Sequence, residues 1–253
     1  MTREDYDRLT AELRARLEPD PRMLGLVALG SMSGEPPPPD EWSDHDFFVI
    51  TRPGEQERMR NDLSWLPRAG EIALAFRETA HGVKALYRDA HLLEFAVFDP
   101  DELRLARVNR YRVLFDRADL EARMRALRER TARETRAPDA RWLRGQLITG
   151  LLVAADRFRR GERLSGRARL QAAAGDLVQL HSLCVPPAPQ SFPDSLDPLR
   201  RAELAWPGFA AALDEALALP LPTAALRILA LARKLPDFPA EPAAVLERHL
   251  ASL

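Results

Sequence analysis

The chain has 253 residues, of which 46% are hydrophobic and 30% charged, a balance that excludes disorder, collagen-like repetition and a disulfide scaffold. Its 37 basic and 38 acidic side chains leave a net charge of -1, so there is no bulk positive field to hold a long nucleic acid by counterion release. The length accommodates two domains with separate cores.

Only Lys84 and Lys234 are lysines; every other basic side chain counted in the composition is arginine. The single Cys184 cannot pair within the chain, and the start of the sequence is acidic without an apolar signal core, so a reducing cytoplasm is expected. The longest charge-free apolar region, Ala216 to Leu226, is interrupted by Pro220 and Pro222 and falls far short of the roughly 20 residues a bilayer span needs.

Tyr6, Leu9, Leu13 and Leu17 recur at helical spacing and predict an amphipathic helix from Arg3 to Leu17. Leu24 to Leu29 reads as a strand ending at Gly30-Ser31, followed by a stiff loop with four prolines from Pro36 to Pro39 and a second strand from Phe47 to Thr51. A helix from Gly54 to Leu66 and strands at Ile72 to Phe76, Val83 to Tyr87, Leu92 to Phe98 and Val113 to Phe115 complete a mixed first half. A charged helix from Leu120 to Arg136 then carries the domain boundary.

Beyond Asp139 strand signals vanish. Leu143, Leu147, Leu151 (or Gly150), Ala154 and Phe158 form one helical stripe, and Leu170, Ala174, Leu177, His181 and Cys184 another. A proline-rich connection follows from Pro186 to Pro193, and then shorter helices, one ending near Leu219, one from Thr223 to Lys234 and one from Glu241 to the end. The expected class is α+β, with a mixed-sheet domain over 1–125 and an all-α bundle over 126–253.

The segment with chemistry runs from the Leu24 strand through Gly30-Ser31 and Gly34 to Ser43-Asp44-His45-Asp46. On extended backbone alternate side chains share a face, which puts Asp44 and Asp46 together at a Cα separation of about 6.7 Å with His45 pointing away. Two carboxylates so placed can grip a magnesium ion that also holds substrate phosphates. Roughly six acid-x-acid triplets arise by chance at this acid content. The information therefore lies in the combination with a Gly-Ser turn able to approach phosphate. Glu94, alone among apolar residues of the Leu92 strand, is the third acid; its burial calls for a metal, a base, an arginine or a cleft.

Gly30-Ser31, Gly34, Ser43-Asp44-His45-Asp46 and Glu94 together resemble the signature of the polymerase-beta-type nucleotidyltransferase superfamily. An N-terminal catalytic domain followed by a helical bundle is similar to the antibiotic nucleotidyltransferases that act on aminoglycosides and lincosamides. The resemblance implies Mg2+-dependent transfer of a nucleoside monophosphate from a nucleoside triphosphate, ATP by expectation, to a hydroxyl of a small acceptor such as an antibiotic, with release of pyrophosphate. By that likeness Gly30 and Ser31 hold the β and γ phosphates, Asp44 and Asp46 hold magnesium, and Glu94 binds metal or deprotonates the acceptor. His45 and the proline loop depart from the family pattern. They motivate an alternative, a catalytically silent or antitoxin-like relative that binds nucleotide or a protein partner.

Several other chemistries lack their residues. No Lys precedes Ser31 as a phosphate loop requires, and no Gly-x-Gly-x-x-Gly or Gly-x-Ser-x-Gly occurs. One cysteine and five scattered histidines give no zinc spacing. Trp42 beside the acids is a candidate cleft residue. Arg163, Arg167 and Arg169 are candidate triphosphate contacts, against the simpler expectation of an exposed bundle face.

Overall fold

The computed structural model describes residues 1–135 and 139–252. Two compact units divide it, Met1–Glu134 and Thr135–Leu253.

In the first unit α1 (Arg3–Leu17) begins at Thr2, whose hydroxyl accepts from the Asp5 backbone N–H at 3.1 Å and so satisfies one of the donors a helix start leaves open. Six strands follow: β1 (Met23–Leu29), β2 (His45–Thr51), β3 (Ile72–Arg77), β4 (Gly82–Tyr87), β5 (Leu92–Phe98) and β6 (Tyr111–Asp116). They form one sheet in the order β3-β4-β5-β2-β1-β6. β2 and β5 run parallel, and all other neighbours antiparallel.

Period-two alternation sorts these strands onto two cores. Leu26, Ala28, Phe47, Val49, Leu93, Phe95 and Val97 turn to one face, where Tyr6, Leu9, Leu13 and Leu17 of α1 cover them. Val27, Ile50, Ala96 and Phe98 turn to the other and pack with Leu120, Met124 and Leu127 of α3 (Leu120–Glu134). That packing keeps the whole of α3 in the first unit, which ends at Glu134. The predicted end of this helix, Arg136, lies outside the described residues.

The helix expected over Gly54 to Leu66 is the short α2 (Gln56–Asn61). Asp62 ends it by accepting the Ser64 backbone N–H at 3.0 Å, a local bond that competes with helix continuation. The Trp65 indole N–H then donates to the Met59 carbonyl at 2.9 Å and ties the following loop back.

The second unit is helical: α4 (Ala140–Arg159), α5 (Arg163–Cys184), α6 (Ala202–Ala205), α7 (Pro207–Leu217), α8 (Leu221–Ala232) and α9 (Ala240–Ala251). Leu143, Leu147, Leu151 and Ala154 of α4 meet Leu170, Ala174 and Leu177 of α5 in its core, as the two stripes predict. Phe158 and Cys184 are partly buried at its margin, and His181 stacks on Phe209 with ring centroids 3.8 Å apart. The helix expected from Glu241 to the end is α9, and Leu253 lies outside the described residues. The protein is thus α+β, a mixed sheet followed by helices. Among the described residues no helix is long and apolar enough to cross a membrane.

Candidate metal centre

The two acids of the predicted pair stand at one end of the sheet, Asp44 immediately before β2 and Asp46 inside it. The parallel pairing of β2 with β5 aligns Asp46 with Glu94 in register, which brings the third acid beside the first two. Carboxylate oxygens of Asp44, Asp46 and Glu94 all lie within 4.8 Å of one another. Strand alternation sends Asp46 and Glu94 to the α3 face of the sheet, in line with Phe48, Ile50, Ala96 and Phe98 but at the strands' N-terminal ends. The three side chains are half-buried there.

The donor set fits a hard divalent cation. Octahedral coordination at about 2.1 Å places ligand oxygens about 3 to 4.2 Å apart, close to the spacing of these carboxylates. Asp44, Asp46 and Glu94 could together hold such a cation.

The turn after β1 is built around these acids. Gly30 has φ +49°, a conformation that favours glycine, and a Cβ there would sit 2.9 Å from Oδ2 of Asp46, so any side chain would have to displace that carboxylate. A single tight helical turn runs through Gly30–Ser33 and closes on Gly34 at φ +79°. The proline loop that follows is pinned by Arg110, which donates to the Pro36 carbonyl at 2.8 Å. Ser31 is buried rather than presented: its hydroxyl lies 3.0 Å from the Tyr6 hydroxyl, which itself donates to the Asp44 carbonyl at 2.8 Å. In this arrangement Ser31 and Tyr6 brace the backbone of the first carboxylate. Burial strongly raises the Tyr6 phenol's pKa, which keeps it a donor.

His45 lies on the opposite face of β2, fully buried against α1. Its Nε2 is 3.3 Å from the Tyr6 carbonyl and 3.0 Å from the Thr10 hydroxyl, and its Nδ1 is 2.7 Å from Nε2 of His91. Because a carbonyl can only accept, Nε2 carries the ring proton and Nδ1 accepts from His91. Burial first, and the neighbouring His91 second, push the pKa of His45 down to about 3.

Unfolded, the same ring titrates near 6.5 and binds a proton that the folded chain refuses. Stability is therefore fully present above about pH 6.5 and declines as pH falls toward about 3, at a limiting slope of about 1.4 kcal/mol per pH unit from this residue. Thermal melts between pH 7 and pH 4 should show a shallower loss of Tm for His45→Gln than for the parent. Identical slopes would rule out a neutral, buried His45.

Sequence reasoning missed two partnerships. His45 and His91 are 46 positions apart and join only because β2 and β5 are neighbours. Lys84 of β4 is aligned with Glu94 of β5, and its ammonium lies 2.8 Å from the Glu94 carboxylate and 2.9 Å from that of Glu78. These hydrogen-bonded pairs raise its pKa. The scarcity of lysine in an arginine-rich chain was the available signal. Mid-strand Glu94 thus meets a base, one of the partners its apolar surroundings called for.

Trp42 is 85% exposed and, with Asp44, borders a cavity of about 660 Å³ that reaches Leu9, Arg68, Asp89 and His91. Arg163 and Arg167 lie exposed on α5 of the second unit and Arg169 is half-buried there.

No family model and no curated protein matches this chain. Among solved structures it is similar to a nucleotidyltransferase-like protein from Exiguobacterium sibiricum, with 14% identity and a TM-score of 0.36 over 97% of this chain and 78% of that one. An aminoglycoside 6-adenyltransferase from Bacillus subtilis matches with 14% identity and a TM-score of 0.32, over 95% of this chain and 90% of that one. The CD-NTase CdnG of Bradyrhizobium diazoefficiens, solved with GTP, matches with 12% identity and a TM-score of 0.27, over 98% and 83%. Likenesses of this strength carry no residue roles across to the present chain; those rest on its own geometry.

Proposed function

We propose that the protein is a Mg2+-dependent nucleotidyltransferase that moves a nucleoside monophosphate from a nucleoside triphosphate, ATP in the first instance, to a hydroxyl of a small acceptor. The observation that carries this is the convergence of Asp44, Asp46 and Glu94 within 4.8 Å beside a turn in which Gly30 sits against the Asp46 carboxylate. Bound between the carboxylates, magnesium would neutralise charge at the α-phosphate as the acceptor oxygen attacks.

The residues then divide the remaining work. Asp44 and Asp46 fix the position of the charge, and the brace of Tyr6 and Ser31 holds the backbone of Asp44 still. The acceptor oxygen forms a bond to the α-phosphorus, the bond from that phosphorus to the bridging oxygen of the β-phosphate breaks, and pyrophosphate leaves. In this reading Glu94 either joins the cation's ligands or takes the acceptor's proton, which otherwise passes to solvent. The Gly30 turn approaches the triphosphate by its backbone. Ser31 reaches phosphate only if its hydroxyl turns away from Tyr6.

The cavity bordered by Trp42 has the size of a small-molecule site and reaches the acids at Asp44 alone, extending otherwise toward Leu9 and His91 on the α1 side. A small hydroxylated acceptor such as an antibiotic remains part of this reading. No argument from charge favours a long nucleic acid.

The test incubates the full chain with each α-labelled nucleoside triphosphate, Mg2+ and a panel of aminoglycosides and lincosamides, following label transfer and pyrophosphate. Label on an acceptor that disappears in Asp44→Asn establishes the activity and the acceptor together. Failure of every nucleotide to bind with Mg2+ would overturn the proposal in favour of a silent relative, whose partner would then be sought among proteins.

A further inference from the structure

Lys84 is one of two lysines in a chain otherwise supplied with arginine, and it is the one that stands at the carboxylate site. Its place is set by strand register: β4 pairs antiparallel with β5 and puts Lys84 directly opposite Glu94. Its ammonium bridges two acids, Glu94 at 2.8 Å and Glu78 at 2.9 Å. Glu78 lies at the start of the turn between β3 and β4, where its backbone N–H donates to the Gly82 carbonyl at 3.0 Å, so the second acid is anchored independently of the first.

An ammonium and a divalent cation compete for the oxygens of Glu94, since the charge and the lone pairs that one takes are denied to the other. Lysine suits such exchange better than arginine: its charge is compact and rides on a flexible four-carbon stem, without the planar fork that locks a guanidinium onto a carboxylate. With Glu78 beside it, Lys84 can give up Glu94 without becoming unpaired.

From this geometry we infer that Lys84 is a positioning residue that competes with the divalent cation for Glu94, with Glu78 as its alternative partner, so that the pair sets how much cation the site requires. The inference rests on the carboxylates being a cation site, as proposed above. It adds a device that raises the cation threshold and returns a fixed positive charge to Glu94 when the cation leaves.

The experiment titrates Mn2+ into the full chain and its variants, reading free Mn2+ by electron paramagnetic resonance, with circular dichroism to verify folding. Lys84→Met should bind Mn2+ about three- to thirtyfold more tightly, since the opposing charge sits partly in solvent and is partly screened. Glu78→Gln should weaken binding by about fivefold beside Lys84 and by less than twofold in the Lys84→Met background, because its effect runs through the lysine. Should Lys84→Met fold poorly, Lys84→Gln makes the same comparison.

Unchanged or weaker binding in the folded lysine variants would overturn the inference, as would a Glu78→Gln penalty of equal size in both backgrounds. If the parent binds no Mn2+ at millimolar concentration but Lys84→Met does, the competition is supported. If neither binds, the cation site itself falls. Equal binding in parent and variant with transfer intact removes the role of Lys84 alone.

Discussion

Asp46→Asn should abolish nucleotidyl transfer, lowering the single-turnover rate by on the order of a thousandfold or more, while leaving the fold intact. Asp46 is the most constrained of the three acids: register fixes it beside Glu94, and the Gly30 turn closes over its Oδ2. Asparagine keeps its shape but removes the charge and half of the ligand's appetite for a hard cation. Because the substitution is isosteric, the melting temperature should move little. Asp44→Asn should behave alike. Rate constants for both variants within tenfold of the parent, at saturating Mg2+, would remove these residues from the chemistry.

Gly30→Ala should be the most damaging substitution outside the acids. Alanine at φ +49° costs about 1 kcal/mol in backbone strain, and its Cβ, 2.9 Å from Asp46 Oδ2, must push that carboxylate aside. Mn2+ affinity and transfer should therefore fall by roughly a hundredfold, out of proportion to the loss of stability. Gly34→Ala supplies the comparison. Its φ of +79° carries similar strain, but the nearest foreign atom to a Cβ there is in Arg112 at 3.8 Å. It should lose about as much stability and retain transfer. Equal losses of transfer in the two variants would mean that the turn matters only as a turn.

Much of the carboxylate cluster is legible in the sequence. Two-residue spacing on extended backbone is a local property, so Asp44 and Asp46 could be assigned one face and His45 the other, as the structure has them. Glu94 was conspicuous because a charge amid six apolar residues has to be compensated. The compensating group was not legible. Lys84 reaches Glu94 through antiparallel register between β4 and β5, and Glu78 joins from the turn between β3 and β4.

Ser31 shows the converse. A Gly-Ser turn suggests a hydroxyl offered to phosphate, yet the Tyr6 hydroxyl from a helix 25 positions earlier occupies it. Helix lengths divide in the same way. The stripes of α4 and α5 run long enough to declare themselves, whereas α2 ends at Asp62 on a bond to Ser64 that hydrophobic periodicity cannot anticipate.

What the sequence by itself determined is what depends on neighbours within a turn or two: the alternation of the strands, the acid pair, the glycine turn, the α+β order and the helical second half. Only the tertiary structure decided which strands lie side by side. Parallel pairing of β2 with β5 assembled the third acid and the His45–His91 bond, and pairing of β4 with β5 delivered Lys84. The physical reason is that side-chain direction along a strand follows from backbone geometry alone, while adjacency and register follow from burying both faces of the sheet at once, a condition set by the whole unit.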